Sequence, residues 1–96
     1  MDLDGFKTSL GEPVPPPGLS LALQTLWWDA KGDWSKAHEC AQADTQQTGS
    51  LVHAYLHRKE PDLANARYWY ARAGRAPATA SLDDEWTALA TELLST

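Results

Sequence analysis

The amino-acid sequence predicts an all-α fold of about five helices: two stacked helix–turn–helix hairpins covered by a C-terminal capping helix. Three observations carry that expectation. The stretches LWWDAKGDWSKAHECAQ (Leu26 to Gln42) and YLHRKEPDLANARYWYA (Tyr55 to Ala71) superpose at a separation of about 29 residues, within the range of helical repeats. In that register Leu26 falls on Tyr55, Trp27 on Leu56, Trp34 on Leu63, Ala37 on Ala66, Cys40 on Trp69 and Ala41 on Tyr70, while the turn Gly32-Asp33 falls on Pro61-Asp62. Finally, Leu82, Trp86, Leu89 and Leu93 recur at helical spacing, the amphipathic end that a short stack needs to cover its open side.

Each element follows from local chemistry. Residues 1–18 read as a Pro-rich arm ending in GEPVPPPG, and 19–96 as a single helical-repeat domain. Consecutive prolines lack donors and favour an extended polyproline conformation. A free tail is the first reading of the arm, a strap pinned by Phe6 and Leu10 the second, and a ligand for a proline-reading domain the third. Helix one is expected from Ser20 to about Ala30, with Leu19, Leu23, Leu26, Trp27 and Ala30 as its stripe. Gly32 breaks it and Asp33 caps helix two, where Trp34, Ala37 and Ala41 face inward. The polar run DTQQTGS, containing Gly49, reads as the link between hairpins. Helix three is expected over about Leu51 to Lys59, with Leu51, Val52, Tyr55 and Leu56 inward. Pro61 ends it, and Asp62 caps helix four, which buries Leu63, Ala66, Tyr70 and Ala73, holds Trp69 at its edge and stops at Gly74. Ser81 caps helix five, with Asp83, Asp84 and Glu85 in its first turn.

Composition narrows the class. Ninety-six residues make one domain, and so short a chain buries only about 60–65% of its unfolded surface. The five Trp and three Tyr must therefore supply much of the core. A lone cysteine, Cys40, excludes an intramolecular disulfide and a thiolate-only zinc site, and its position suits a small core residue. The opening MDLDGFKTSL lacks the basic start and apolar stretch of a secretory signal, and no apolar run approaches a membrane span. A cytoplasmic address and no membrane partner are expected. A net charge of −5 argues against bulk nucleic-acid binding. Five of the eight basic residues (Arg58, Lys59, Arg67, Arg72, Arg75) nevertheless lie within 58–75, opposed there by Glu60 and Asp62 alone. A solvated face is the plain explanation; a positive face for an anionic partner is the sharper one.

At GDWSKAHECAQ and PDLANARYWYARAG the pattern resembles tetratricopeptide and Sel1-like repeats, in which helix, tight turn and helix carry a small Ala followed at intervals by an aromatic and another Ala. Ala66, Tyr70 and Ala73 supply that series in the second unit, whereas the first has Ala41 and Asp44 at the later positions. Only Asp33/Asp62 and Ala37/Ala66 are identities between the copies, so patterning carries the repeat. Over Leu19 to Gly74 the strings LWWDAKGDW, HAYLHRKE and NARYWY with a closing RAG resemble a family of small bacterial helical proteins. Pro61 stands where that pattern has Gly. The resemblance implies a helical-repeat fold and no catalytic residue.

The sharpest candidate chemistry is HAYLHRKE. His53, His57 and Glu60 project from one flank of a helix, and two imidazoles with a carboxylate one turn on can hold a zinc-like ion. The arrangement falls short of H-E-x-x-H, and His38-Glu39, which begins that string, has Gln42 where the second His belongs. Arg67, Arg72 and Arg75 near Tyr68, Trp69 and Tyr70 form a second group, suited to a phosphate or base but more often a tie between helices. There is no P-loop, G-x-S-x-G or G-x-G-x-x-G. The sequence thus favours a non-enzymatic protein-binding or self-associating module without a cofactor. Its contacts would be Trp28, His53, His57, Arg58 and Arg67, exposed or half-exposed. Metal binding at His53, His57 and Glu60, and phosphate binding by 58–75, are the alternatives.

Overall fold

The structure, a computed structural model, describes residues 1–95, and every regular element among them is an α-helix. In chain order these are α1 (Leu3–Ser9), α2 (Leu21–Ala30), α3 (Trp34–Ala43), α4 (Gln47–Lys59), α5 (Leu63–Arg72) and α6 (Leu82–Leu94). Five of the six begin on a side-chain cap: Asp2, Ser20, Asp33, Asp62 and Ser81 each accept from an amide in the following turn. None of the described helices is long and apolar enough to cross a membrane.

The two hairpins are α2–α3 and α4–α5, and their turns share a backbone despite different sequences. Asp33 donates its amide to the Trp28 carbonyl at 3.0 Å, and Asp62 to the His57 carbonyl at 2.8 Å. Both capping aspartates take nearly the same dihedrals, φ −103° and ψ 83° against φ −96° and ψ 77°. The first turn reaches this closure through Gly32 at φ +81°, and the second through Pro61, with no left-handed residue. A proline has no amide to satisfy, so it suits a position where none is needed.

Helices α2 and α3 both lie against α4, while α6 runs over α2 and α4 and also meets α1. Helix α6 is therefore a cover laid across the first helices of both hairpins. Trp86 fastens it, donating its indole N–H to the Leu26 carbonyl at 3.0 Å. Phe6, Leu26, Trp27, Val52 and Leu56 are fully enclosed between these layers. A ring buried this way removes about 150–250 Å² from water, a large share of the apolar gain in a small domain.

Several expectations need correction. The N-terminal arm is no free tail: its first part is helix α1, Phe6 stacks on Trp86 with centroids 5.7 Å apart, and Trp27 donates to Ser9 Oγ at 3.0 Å. Beyond it, Lys31 Nζ donates to the carbonyls of Leu10 and Glu12 at 2.7 and 3.1 Å. The core recruits the arm because Phe6 fills space that the hairpins leave open. Helix α4 starts at Gln47, ahead of the expected Leu51, so Gly49 lies inside a helix rather than in a link. A Cβ at Gly49 would collide with the Asp44 carbonyl oxygen, which explains glycine there. Ala30 and Leu63 are exposed, whereas Asp29 and Glu85 turn inward. Both carboxylates do so because partners await them.

Candidate metal centre

Helix α4 supplies polar side chains to three places. On one flank, Asp29 is buried and accepts from Tyr55 Oη at 3.0 Å and from Lys59 Nζ at 2.9 Å. On another, Glu85 is buried and accepts from Arg58 Nη1 at 2.8 Å and from Tyr70 Oη. Burial together with the adjacent carboxylate pushes both tyrosine hydroxyls well above their ordinary pKa, so they stay donors. Each carboxylate has one phenol and one cation. These two networks are complete ion-pair structures joining helices.

The third place differs. His53 and His57 stand one turn apart on α4, their rings nearly parallel at 4.9 Å. His38 enters from α3, perpendicular to both, with centroids 4.7 Å from His53 and 5.5 Å from His57. One ring nitrogen from each lies within 4.8 Å of the other two. The chain has three histidines, and all of them meet here.

Each ring is fixed. The His53 and His38 Nε2 atoms are 3.0 Å apart. Tetrahedral zinc with Zn–N near 2.0–2.1 Å sets its nitrogens about 3.4 Å apart, so this pair needs to open by only a few tenths of an ångström. His57 Nδ1 lies 2.5 Å from Glu60 Oε1, and since a carboxylate accepts, Nδ1 carries the proton. In the neutral ring this leaves the lone pair on Nε2, which Asn65 Nδ2 approaches at 3.4 Å. A carboxylate behind a ligating imidazole is the usual means of fixing its tautomer and raising its basicity. Trp69 stacks on His53 at 4.0 Å, and Trp34 on His38 at 4.7 Å, so two indoles wall the cluster.

Metal ligation requires neutral imidazoles, and the surroundings of His53 and His38 favour that form. Burial, followed by repulsion from His38 and His57, pushes the His53 pKa down to about 4. His38 is lowered too, by burial first and His57 second, with Glu60 opposing. A second group, His57, Glu60 and Asp62, also brings ligand atoms together, but both acids are exposed. Asp62 is also spent on capping α5, accepting from the Asn65 amide at 3.2 Å. The three-imidazole group is the better-built site.

The structure redistributes the residues singled out in the sequence. His53 and His57 do come together, but both are buried rather than exposed, which removes them from any outer contact surface. Glu60 sits behind His57 instead of beside the two imidazoles as a third ligand. Trp28 is half-buried against Trp27 with Lys36 Nζ 4.3 Å from its ring centroid, and Arg58 is committed to Glu85. Arg67 is exposed. Arg72 lies over the Tyr68 and Trp69 rings of its own helix, α5, and so does not form the expected tie between helices. Cys40 is half-buried and its thiol is pushed up by burial and by Glu39, away from thiolate reactivity. The residue missed was His38. Its available signal was position: one turn after Trp34, on α3, which packs against α4.

No protein-family model, curated protein or solved structure matches this chain. The all-helical fold and the geometry of the cluster are what bear on function.

Proposed function

We propose that this protein is a small metal-binding helical module, holding one zinc-class divalent ion on His38, His53 and His57. The observation that carries the reading is the convergence of three imidazoles from two helices, one of them oriented by Glu60. An all-imidazole set suits zinc, copper, nickel or iron rather than calcium or magnesium, which prefer oxygen. Three protein ligands leave one tetrahedral position open.

Equilibrium dialysis against zinc followed by metal analysis tests this. One ion per chain is expected in the wild type, and a loss of at least tenfold in affinity in His38→Gln and His53→Gln. Wild-type protein that retains no zinc at micromolar concentration would overturn the reading.

The adaptor reading draws on Trp28 and Arg67 and has less support, because His53 and His57 are interior and Arg58 is paired. Phosphate binding by 58–75 has least. Arg58, Lys59 and Arg75 are each tied to an acid, and Arg72 to aromatic rings. A cytoplasmic setting and a tetratricopeptide-like lineage belong to the same proposal, drawing on the acidic composition and the repeated turn.

A further inference from the structure

Three imidazoles account for three corners of a tetrahedral site, and helix α5 brings a further polar side chain to it. Asn65 and Trp69 stand one turn apart on α5, as His57 and His53 do on α4, and the two pairs meet. Trp69 stacks on His53 at 4.0 Å, and Asn65 Nδ2 lies 3.4 Å from His57 Nε2. Glu60 holds His57 Nδ1, so Nε2 is the atom that His57 offers to a metal. Asn65 is half-buried, and among the described residues this is the one polar contact of its side chain. At 3.4 Å it is long for a hydrogen bond. Two ligands of one tetrahedral zinc ion, however, sit about 3.4 Å apart when each bond is near 2.0–2.1 Å.

We infer that Asn65 is the fourth protein ligand, its Oδ1 closing the coordination sphere that His38, His53 and His57 begin. This rests on the metal reading above and deepens it. A side-chain amide carries a donor and an acceptor on one carbon, so a half turn about χ2 brings Oδ1 to the place that Nδ2 holds. The metal-free ring, with its lone pair on Nε2, selects the N–H end; a cation selects the oxygen. A carbonyl oxygen is a harder ligand than imidazole, so it is the weakest of the four for zinc. The ion then joins α3, α4 and α5. Four protein ligands make a structural site without exchangeable water, whereas three leave a position for substrate.

Cobalt(II)-loaded protein provides the test, since its visible bands report the coordination sphere. Azide, a small anion that enters vacant or water-filled positions, is the probe. The wild-type bands should not respond to it. In Asn65→Ala, which suits a helix, the bands should shift saturably with azide and cobalt affinity should fall about tenfold. Asn65→Asp, an acid welcome in the first turn of α5, puts an anionic oxygen in the same place and should bind cobalt more tightly than wild type. Should either variant fail to fold, the wild-type response to azide still decides. Wild-type bands that shift saturably with azide, an Asn65→Ala protein with unchanged affinity or no azide response, or an Asn65→Asp protein that binds no tighter would overturn this inference and leave the three-imidazole site standing. Absence of any cobalt spectrum would remove both.

Discussion

Helix α4 presents carboxylate networks on one side and imidazoles on another, and the two are satisfied in opposite ways. Asp29 and Glu85 each receive a tyrosine and a cation, so nothing is left for a ligand to do. The imidazole side pairs donors and acceptors poorly: His38 and His53 share one contact between them, and Trp34 has none for its N–H. A closed polar network strengthens a fold, whereas an open one of metal-ligand type marks a place where chemistry is expected from outside.

The sharpest way to break this comparison is to open the closed side. Arg58→Ala leaves Glu85, whose side chain is 5% exposed, without its cation. Removal of one partner of a buried pair costs about 3–5 kcal/mol, so urea unfolding should show a loss of about 4 kcal/mol. A loss below 1 kcal/mol would mean that this network is as dispensable as a surface pair.

Acid should act on the other side. The unfolded chain protonates His53 near pH 6.5, whereas the folded chain keeps it neutral down to about pH 4. The unfolded state therefore binds more protons across that window, and stability falls as the pH drops from 6.5 toward 4, by about 3 kcal/mol from this residue. His53→Gln should flatten the slope in metal-free protein. An unchanged slope would place the acid sensitivity elsewhere.

A smaller effect separates orientation from ligation. Glu60→Ala should cost the metal-free protein about 1 kcal/mol by leaving the buried His57 Nδ1–H without its acceptor, and should lower zinc affinity about tenfold by releasing the His57 ring. Equal affinity would show that Glu60 does not orient the ligand. Smallest of all, Arg75→Ala removes an exposed pair with Glu92 whose side chains are 46% and 44% accessible. Solvent screening limits such a pair to about 0–1 kcal/mol, and a larger change in melting would contradict that assignment.

Much of the fold was legible in the sequence because its signals are local. Asp33, Asp62 and Ser81 cap the helices expected of them, Ser20 stands at the expected start of its helix, and Gly32 and Gly74 sit at positive φ where helices end. What escaped was anything decided between helices. Phe6 lies in a segment dominated by prolines, and only the gap under Trp86 gives it a place. Glu85 read as a helix-dipole acid until Arg58 and Tyr70, distant in sequence, claimed it. The site follows the same rule. His53 and His57 were visible as neighbours on one helix, but His38 belongs with them only once α3 packs on α4. The repeat register gave no hint, since His38 falls on Arg67 in the second copy.

Because the chain's three histidines all lie in the cluster, their ring nitrogens can be watched without interference in a zinc titration by nitrogen-15 NMR. One equivalent of zinc should move a nitrogen of His38, of His53 and of His57 together to the shifts of metal-bound imidazole, with His57 keeping its proton on Nδ1. Rings that keep their metal-free shifts through several equivalents, or a response from His57 alone, would contradict the three-imidazole site.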